Sequence, residues 1–265
     1  MERAQGGRVK VITRSKTFTA EGSAGVPPEG VVHLWSWLLP VEELTLSELE
    51  GTLSDDEWRR VRRLRSHRDA RRFISRRGMM RQILGSYLEL HAHELAFCYG
   101  GQGKPFLAPS QARSLSFNLS DSGELAVLAV CSGHPIGVDV ERIRPCTEAA
   151  GIDAVAFAQS GIGQANARPP LVDADSFFRS WTRKEAVVKA RGSGLQLLSG
   201  GMTPSQAAHA LPPPPHSQLD DGPGPWRVYP LPLPPCYAGA LAASQEIETI
   251  ACFPCAPDLA PVSGP

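Results

Sequence analysis

Asp139 and Glu141 stand two apart in the stretch Gly137-Val138-Asp139-Val140-Glu141. Side chains alternate faces along a strand, so an extended backbone here turns both carboxylates one way and both valines the other. Two like charges on one face repel unless a cation or an arginine lies between them. A hard divalent ion, magnesium or else manganese, takes oxygen ligands of this kind. The structural alternative is an exposed strand face whose acids pair with Arg142 or Arg144.

A second pattern runs from Phe177 to Lys189 as FFRSWTRKEAVVK. Its apolar residues recur at helical spacing, which places Glu185 and Lys189 four apart on one face. As a plain ion pair they would contribute only about 0.3–0.5 kcal/mol. Glu185 can instead supply a third oxygen ligand to the ion held by Asp139 and Glu141. A lysine beside a metal has its pKa pushed down and can then take a proton from a hydroxyl. Gly192 and Gly194 follow, suited to a helix C-cap and to close backbone approach.

Three further stretches bear on phosphate. Gly101-Gln102-Gly103-Lys104-Pro105 sets one lysine in a glycine turn. Phe117-Asn118-Leu119-Ser120-Asp121-Ser122 offers hydroxyls and backbone amides at a strand end, for phosphate oxygens or for a turn. From Arg59 to Arg81 arginines crowd a helical pattern, read either as a solvated basic face or as a phosphate-binding surface.

The elements that must carry these residues follow from pattern and punctuation. His33–Pro40 reads as a strand, and residues 44–50 and 54–91 read as helices, the second broken near His67. Residues 115–120 and 124–132 read as two strands around an Asp-Ser-Gly turn, followed by the GVDVE strand, which Pro145 closes. A helical piece at 152–159 precedes the 176–190 helix. WRVYPL, YAGALAA and IETIACF close the chain as strands. The class is α/β (α+β). Residues 1–30 read as a flexible N-terminal tail, 203–225 as a proline-rich insertion and 257–265 as a flexible tail.

In a chain of 265 residues the 27 basic residues equal the 27 acidic ones, so bulk charge does not point to nucleic acid. No apolar run reaches the roughly 18 residues of a membrane span. The N-terminal stretch lacks the apolar core of a signal peptide. Six scattered cysteines do not resemble a disulfide framework, and Cys252 and Cys255 form one CxxC without a second pair, so a reducing cytoplasm is expected.

In this order the basic helix, GKP, FNLSDS, GVDVE and WTRKEAVVKARGSG resemble the Sfp-type 4'-phosphopantetheinyl transferases, in the WxxKEA branch, over roughly residues 33–253. The resemblance implies two similar lobes forming a pseudo-dimer within one chain, here 31–134 and 135–256. It implies transfer of 4'-phosphopantetheine from coenzyme A to a serine of an apo acyl or peptidyl carrier protein, with adenosine 3',5'-bisphosphate released. Asp139, Glu141 and Glu185 match the magnesium-site acids. Lys189 matches the residue proposed as base or as partner of the leaving phosphate, and Glu185 is the other candidate base. Lys104, Ser120, Arg60 and Arg72 match contacts to coenzyme A phosphates. A monomer is expected.

The chain also departs from the family. Asp121 stands where the family has histidine in FNxSHS, which implies a repelled phosphate and weaker coenzyme A binding. Residues 152–170 lack the family's charged, phenylalanine-containing helix. Two rival readings are a degenerate transferase that binds without transfer and another magnesium-dependent phosphoryl enzyme; the absence of a Walker-type loop argues against the latter.

Overall fold

The alternation of VVHLWSWL fills two cores at once. In strand β2 (Val31–Leu38), Val32 and Leu34 point to one side of the sheet and Trp35 and Trp37 to the other. A computed structural model describes residues 9–13, 25–100, 103–112, 114–144, 174–192 and 226–254. Its first sheet has five strands, β1 (Lys10–Thr13), β10 (Thr249–Pro254), β2, β6 (Leu125–Ser132) and β5 (Leu115–Ser122), in that spatial order. A second sheet sets β9 (Tyr237–Ala243) between β7 (Ile136–Arg142) and β8 (Arg227–Pro230). A hairpin of β3 (Phe97–Tyr99) and β4 (Pro105–Leu107) stands apart.

Three helices cover one face of the large sheet: α1 (Glu43–Glu50), α2 (Asp55–Val61) and α3 (His67–Leu88). The expected break near His67 is present. Ser54 and Glu57 form a capping box that starts α2, and Ser66 accepts from the amides of Arg68 and Asp69 to start α3. The opposite face packs on the second sheet, Leu34, Val127 and Ile250 against Val138, Val140 and Leu241. The far side of that second sheet carries α4 (Ala174–Arg191). The order of layers is therefore helices, large sheet, small sheet, helix. This bears out the mixed α/β class, and β6, sandwiched on both faces, is buried along almost its whole length.

The structure corrects three expectations. Residues 1–30 are not all tail, because Lys10–Thr13 pairs parallel to β10. β10 lies late in the chain but joins the large sheet between β1 and β2, so residues 249–254 do not belong with the rest of 135–256. Both of its faces are apolar, Ile250 and Cys252 toward one core and Ala251 and Phe253 toward the other, and only an inner strand of the large sheet buries both. The arginine run is not one basic face. Arg77 and Arg81 are buried and share the carboxylate of buried Glu57, at 2.8 and 2.6 Å, which ties α3 to α2. Removing one partner of such a buried set costs about 3–5 kcal/mol. Arg59, Arg60, Arg62, Arg63, Arg65 and Arg68 remain exposed.

Cys98, Cys131, Cys236 and Cys252 are free thiols. No helix among the described residues is long and apolar enough to cross a membrane. The expected helix at 152–159, Gly194, Cys255, the proline-rich 203–225 stretch and the 257–265 tail lie outside the described residues.

Candidate active site

Gly137 decides how close helix and sheet come. A Cβ there would overlap the carbonyl oxygen of Ala186 and the amide nitrogen of Ala190, so α4 lies with its backbone directly on β7. Strand alternation puts Gly137, Asp139 and Glu141 on this helix side, while Val138 and Val140 enter the core between the sheets. Gly192, with φ of +68°, ends the helix by donating its N–H to Lys189 O at 3.2 Å.

The close approach brings Lys189 onto Asp139, with Nζ to Oδ1 at 2.6 Å, rather than onto Glu185 one turn away. Lys189 Nζ also donates to Ser120 Oγ at 2.9 Å, and Ser120 Oγ donates to Asp139 Oδ1 at 3.0 Å. Asp139 is buried. That burial pushes its carboxyl above the usual carboxylate range, and the Lys189 ammonium opposes the push. Burial likewise raises Glu141, which accepts from Ser122 Oγ at 2.6 Å and feels the charge of Asp139. Glu185 is pushed up to about 7, first by burial and then by the charge of Asp139, with Lys189 opposing and Glu141 adding to it.

These three acids and one lysine thus share one field. Asp139 Oδ2 is buried and has no hydrogen-bond partner among the described residues. A buried, partnerless carboxylate oxygen beside two more acids is a donor set that suits a hard divalent ion. The fit is one of chemistry and not yet of coordination. Among the described residues no three acidic or thiol or imidazole side chains stand close enough to hold one ion. The Lys189 ammonium supplies the positive charge at Asp139 instead.

The charge on Glu185 yields a pH test. Its carboxyl lies at about 7 in the fold against 4.5 ordinarily. Folding therefore favours the protonated form. The penalty is absent below pH 4.5, grows as pH rises to 7 and is complete above it. In chelator-treated protein, Glu185→Gln should raise Tm more at pH 8 than at pH 5 in paired thermal melts. Equal shifts at the two pH values would remove the electrostatic account of this residue.

The remaining site expectations fare differently. Lys104 Nζ donates to Ile136 O at 3.0 Å and Lys189 O at 2.6 Å, so it fastens the start of β7 to the end of α4. Burial, with the Lys189 charge adding to it and Cys131 opposing, pushes it down to about 8. Ser120 is buried, and its single O–H proton is directed at Asp139. The FNLSDS stretch is no turn, since β5 continues through Ser122.

Asp121 points to the other face of β5 and meets α3, where Arg76 binds Oδ1 at 2.7 Å and Arg72 reaches Oδ2 at 3.6 Å. Its charge is thus shared by two guanidiniums, a pairing that the sequence pattern does not reveal. Arg60 and Arg76 lie over the ring of Phe73 at 5.5 and 5.6 Å from its centroid. Arg60 and Arg76 therefore gather at Phe73, and Arg72 and Arg76 at Asp121, whose side chain leaves β5 on the face opposite Ser120 and Ser122. Arg76 was missed by sequence reasoning. The available signal was helical spacing, because Arg72 and Arg76 are four apart and share a face.

Comparison with known proteins agrees with this picture. Residues 39–133 match the family model for the N-terminal part of 4'-phosphopantetheinyl transferases, and residues 135–225 match that of the 4'-phosphopantetheinyl transferase superfamily. The chain is 37% identical to the 4'-phosphopantetheinyl transferase HetI of Nostoc sp. over 193 residues, covering 71% of this chain and 81% of the relative. It is 29% identical to the 4'-phosphopantetheinyl transferase psf-1 of Bacillus pumilus over 212 residues, 78% and 88% of the two chains. A shorter match, 39% over 102 residues, relates 38% of it to 51% of the 4'-phosphopantetheinyl transferase AcpT of Escherichia coli. With the acids and lysine of GVDVE and WTRKEAVVK meeting across β7 and α4, the chain belongs to the 4'-phosphopantetheinyl transferase superfamily and is an enzyme of that class.

Proposed function

We propose that this protein transfers 4'-phosphopantetheine from coenzyme A to a serine hydroxyl of an apo acyl or peptidyl carrier protein. The observation that supports it most is the shared field of Asp139, Glu141, Glu185 and Lys189 where α4 lies on β7. The serine oxygen bonds to the phosphorus next to the pantetheine, and the bond from that phosphorus to the bridging pyrophosphate oxygen breaks. Adenosine 3',5'-bisphosphate leaves, and the serine proton passes to a base.

The two halves of the chain form two lobes of a pseudo-dimer, with coenzyme A held at their junction. Asp139, Glu141 and Glu185 are the residues that would hold a magnesium ion, and the chemistry such an ion would supply is relief of negative charge on the phosphates. Glu185 and Lys189 are the two candidate bases, and in the metal-free fold the Glu185 carboxyl lies near 7, where it could take up a proton at neutral pH. Lys189, ion-paired with Asp139, is suited to the leaving phosphate. Arg60 and Arg72, with Arg76, would bind coenzyme A phosphates. Lys104 uses two of its three hydrogens on carbonyls and has one left for a phosphate.

Intact-mass spectrometry tests this reading. An apo carrier incubated with the protein, coenzyme A and magnesium should gain one phosphopantetheine, and Glu185→Gln should not support the gain. No gain across several carrier types would leave the protein a binding homologue without transfer.

Two further outcomes follow. Asp121→His should tighten coenzyme A binding severalfold by calorimetry, since it frees Arg72 and Arg76 for phosphate. The gain should shrink when Arg76 is also methionine; a gain of the same size there would exclude that route. The exposed arginines of the α2–α3 region suit an acidic carrier. Neutralising Arg62, Arg63 and Arg65 should raise the carrier KM at low salt with the coenzyme A KM unchanged. A constant carrier KM would place the docking face elsewhere.

The cytoplasm and a monomeric state remain part of this proposal.

A further inference from the structure

β5 and β7 are edge strands of different sheets, yet they run beside each other. The edge of β7 that faces away from β9 carries the amides of Val138, Val140 and Arg142. Val138 and Val140 are fully buried, and a buried N–H without an acceptor is costly. No backbone carbonyl of β5 meets these amides as in a sheet ladder. Side chains do so instead. Asn118 Oδ1 accepts from Val138 N at 2.8 Å, Ser120 Oγ from Val140 N at 3.3 Å and Ser122 Oγ from Arg142 N at 3.1 Å.

The three donors and the three acceptors both step by two residues, and each partner pair lies 20 apart in sequence. Alternate residues of β5 thus form a polar ladder that joins the two sheets.

The two serines do more than accept. A hydroxyl that takes an N–H on its lone pair has its own proton free to point elsewhere. Ser120 donates to Asp139 Oδ1 at 3.0 Å and Ser122 to Glu141 Oε2 at 2.6 Å. Each serine therefore accepts from the amide of one residue and donates to the carboxylate of the residue before it. The position of both acids is set by the other sheet.

We propose that Asn118, Ser120 and Ser122 are positioning residues: their side-chain ladder fixes β7 against β5 and aims the carboxylates of Asp139 and Glu141 at the site. This rests on the reading that those acids hold a divalent ion. It also gives Ser120 and Ser122 a role other than direct contact with coenzyme A phosphate.

Ser122 is the place to test it, being half-buried and at the strand end. Three proteins are compared: wild type, Ser122→Ala and Ser122→Thr, the last restoring the hydroxyl. In metal-free protein, hydrogen exchange of the 136–142 segment should quicken in Ser122→Ala and return toward wild type in Ser122→Thr. With coenzyme A present, Mn2+ affinity by electron paramagnetic resonance should fall roughly 10–100-fold in Ser122→Ala and recover in Ser122→Thr. The coenzyme A KM should stay within about twofold, as expected for a residue acting through a metal ligand.

Unchanged exchange in Ser122→Ala would overturn the ladder. Unchanged Mn2+ affinity, or a raised coenzyme A KM with normal Mn2+ affinity, would overturn the positioning role. Asn118→Ala gives a second exchange readout at Val138. Failure of the underlying reading shows differently, in a wild-type protein that binds no Mn2+ or modifies no carrier. The exchange measurements still decide the ladder in that event.

Discussion

Lys189→Ala should lower kcat for carrier modification by roughly 10²–10³, the loss seen when one preorganised charge or donor is removed from an active site. The side chain is 30% exposed, and its ammonium bridges Asp139 and Ser120. Truncation removes the cation that would face the leaving phosphate and leaves Asp139 buried beside two other acids. The coenzyme A KM should change much less than kcat, because the partners of the arginines around Phe73 and Asp121 do not include Lys189. Lys189→Arg should not restore the rate, since a planar guanidinium cannot place one compact charge at the same point. Initial rates by intact-mass analysis would show this. A near-normal rate for Lys189→Ala would assign the chemistry to other groups and leave Lys189 as a counter-ion only.

The second large effect lies in the backbone. Gly137→Ala puts a methyl group into space already filled by the main chain of Ala186 and Ala190. Main chain cannot rotate away as a side chain can, so α4 must lift from β7. Overpacking of this kind costs typically about 1–3 kcal/mol and occasionally more. For a chain of this size that lowers Tm by roughly 2–12 °C. The lift also carries Glu185 and Lys189 away from Asp139, so transfer should fall further than stability predicts. Misplacement of reacting groups by about 1 Å can cost about 10² in rate. Gly51→Ala is the control. Gly51 has right-handed φ of −67°, and its added Cβ would meet Glu48 O at an ordinary 3.6 Å. A Gly137→Ala protein with normal Tm and rate would show that the helix tolerates a wider spacing.

Much of this site is legible in the amino-acid sequence. Period-two alternation in GVDVE puts Asp139 and Glu141 on one face, and the structure keeps them there. Helical spacing puts Glu185 and Lys189 on one helix ending at Gly192. The break expected near His67 in the arginine-rich stretch is there, with Ser66 capping the helix that follows it. Each of these depends on neighbours within a few residues, and local geometry is what a sequence states directly.

What the tertiary structure alone decided were partners distant in the chain. Lys189 pairs with Asp139, 50 residues away, and not with Glu185 on its own helix, because Gly137 lets α4 settle onto β7. Asp121 is held by Arg76 and Arg72 across 45 and 49 residues, since Leu119 and Asp121 share the β5 face under α3. Ser120 turns inward to β7 because the buried Val140 amide of an edge strand requires an acceptor, and Ser122 continues the pattern at Arg142. β10 enters the large sheet because it is apolar on both faces. Sequence by itself determined which residues carry the charges and which face of a strand or helix each one occupies. Which charges meet was left to the packing of layers, because that depends on how closely backbones approach, and here a single missing Cβ at Gly137 governs the approach.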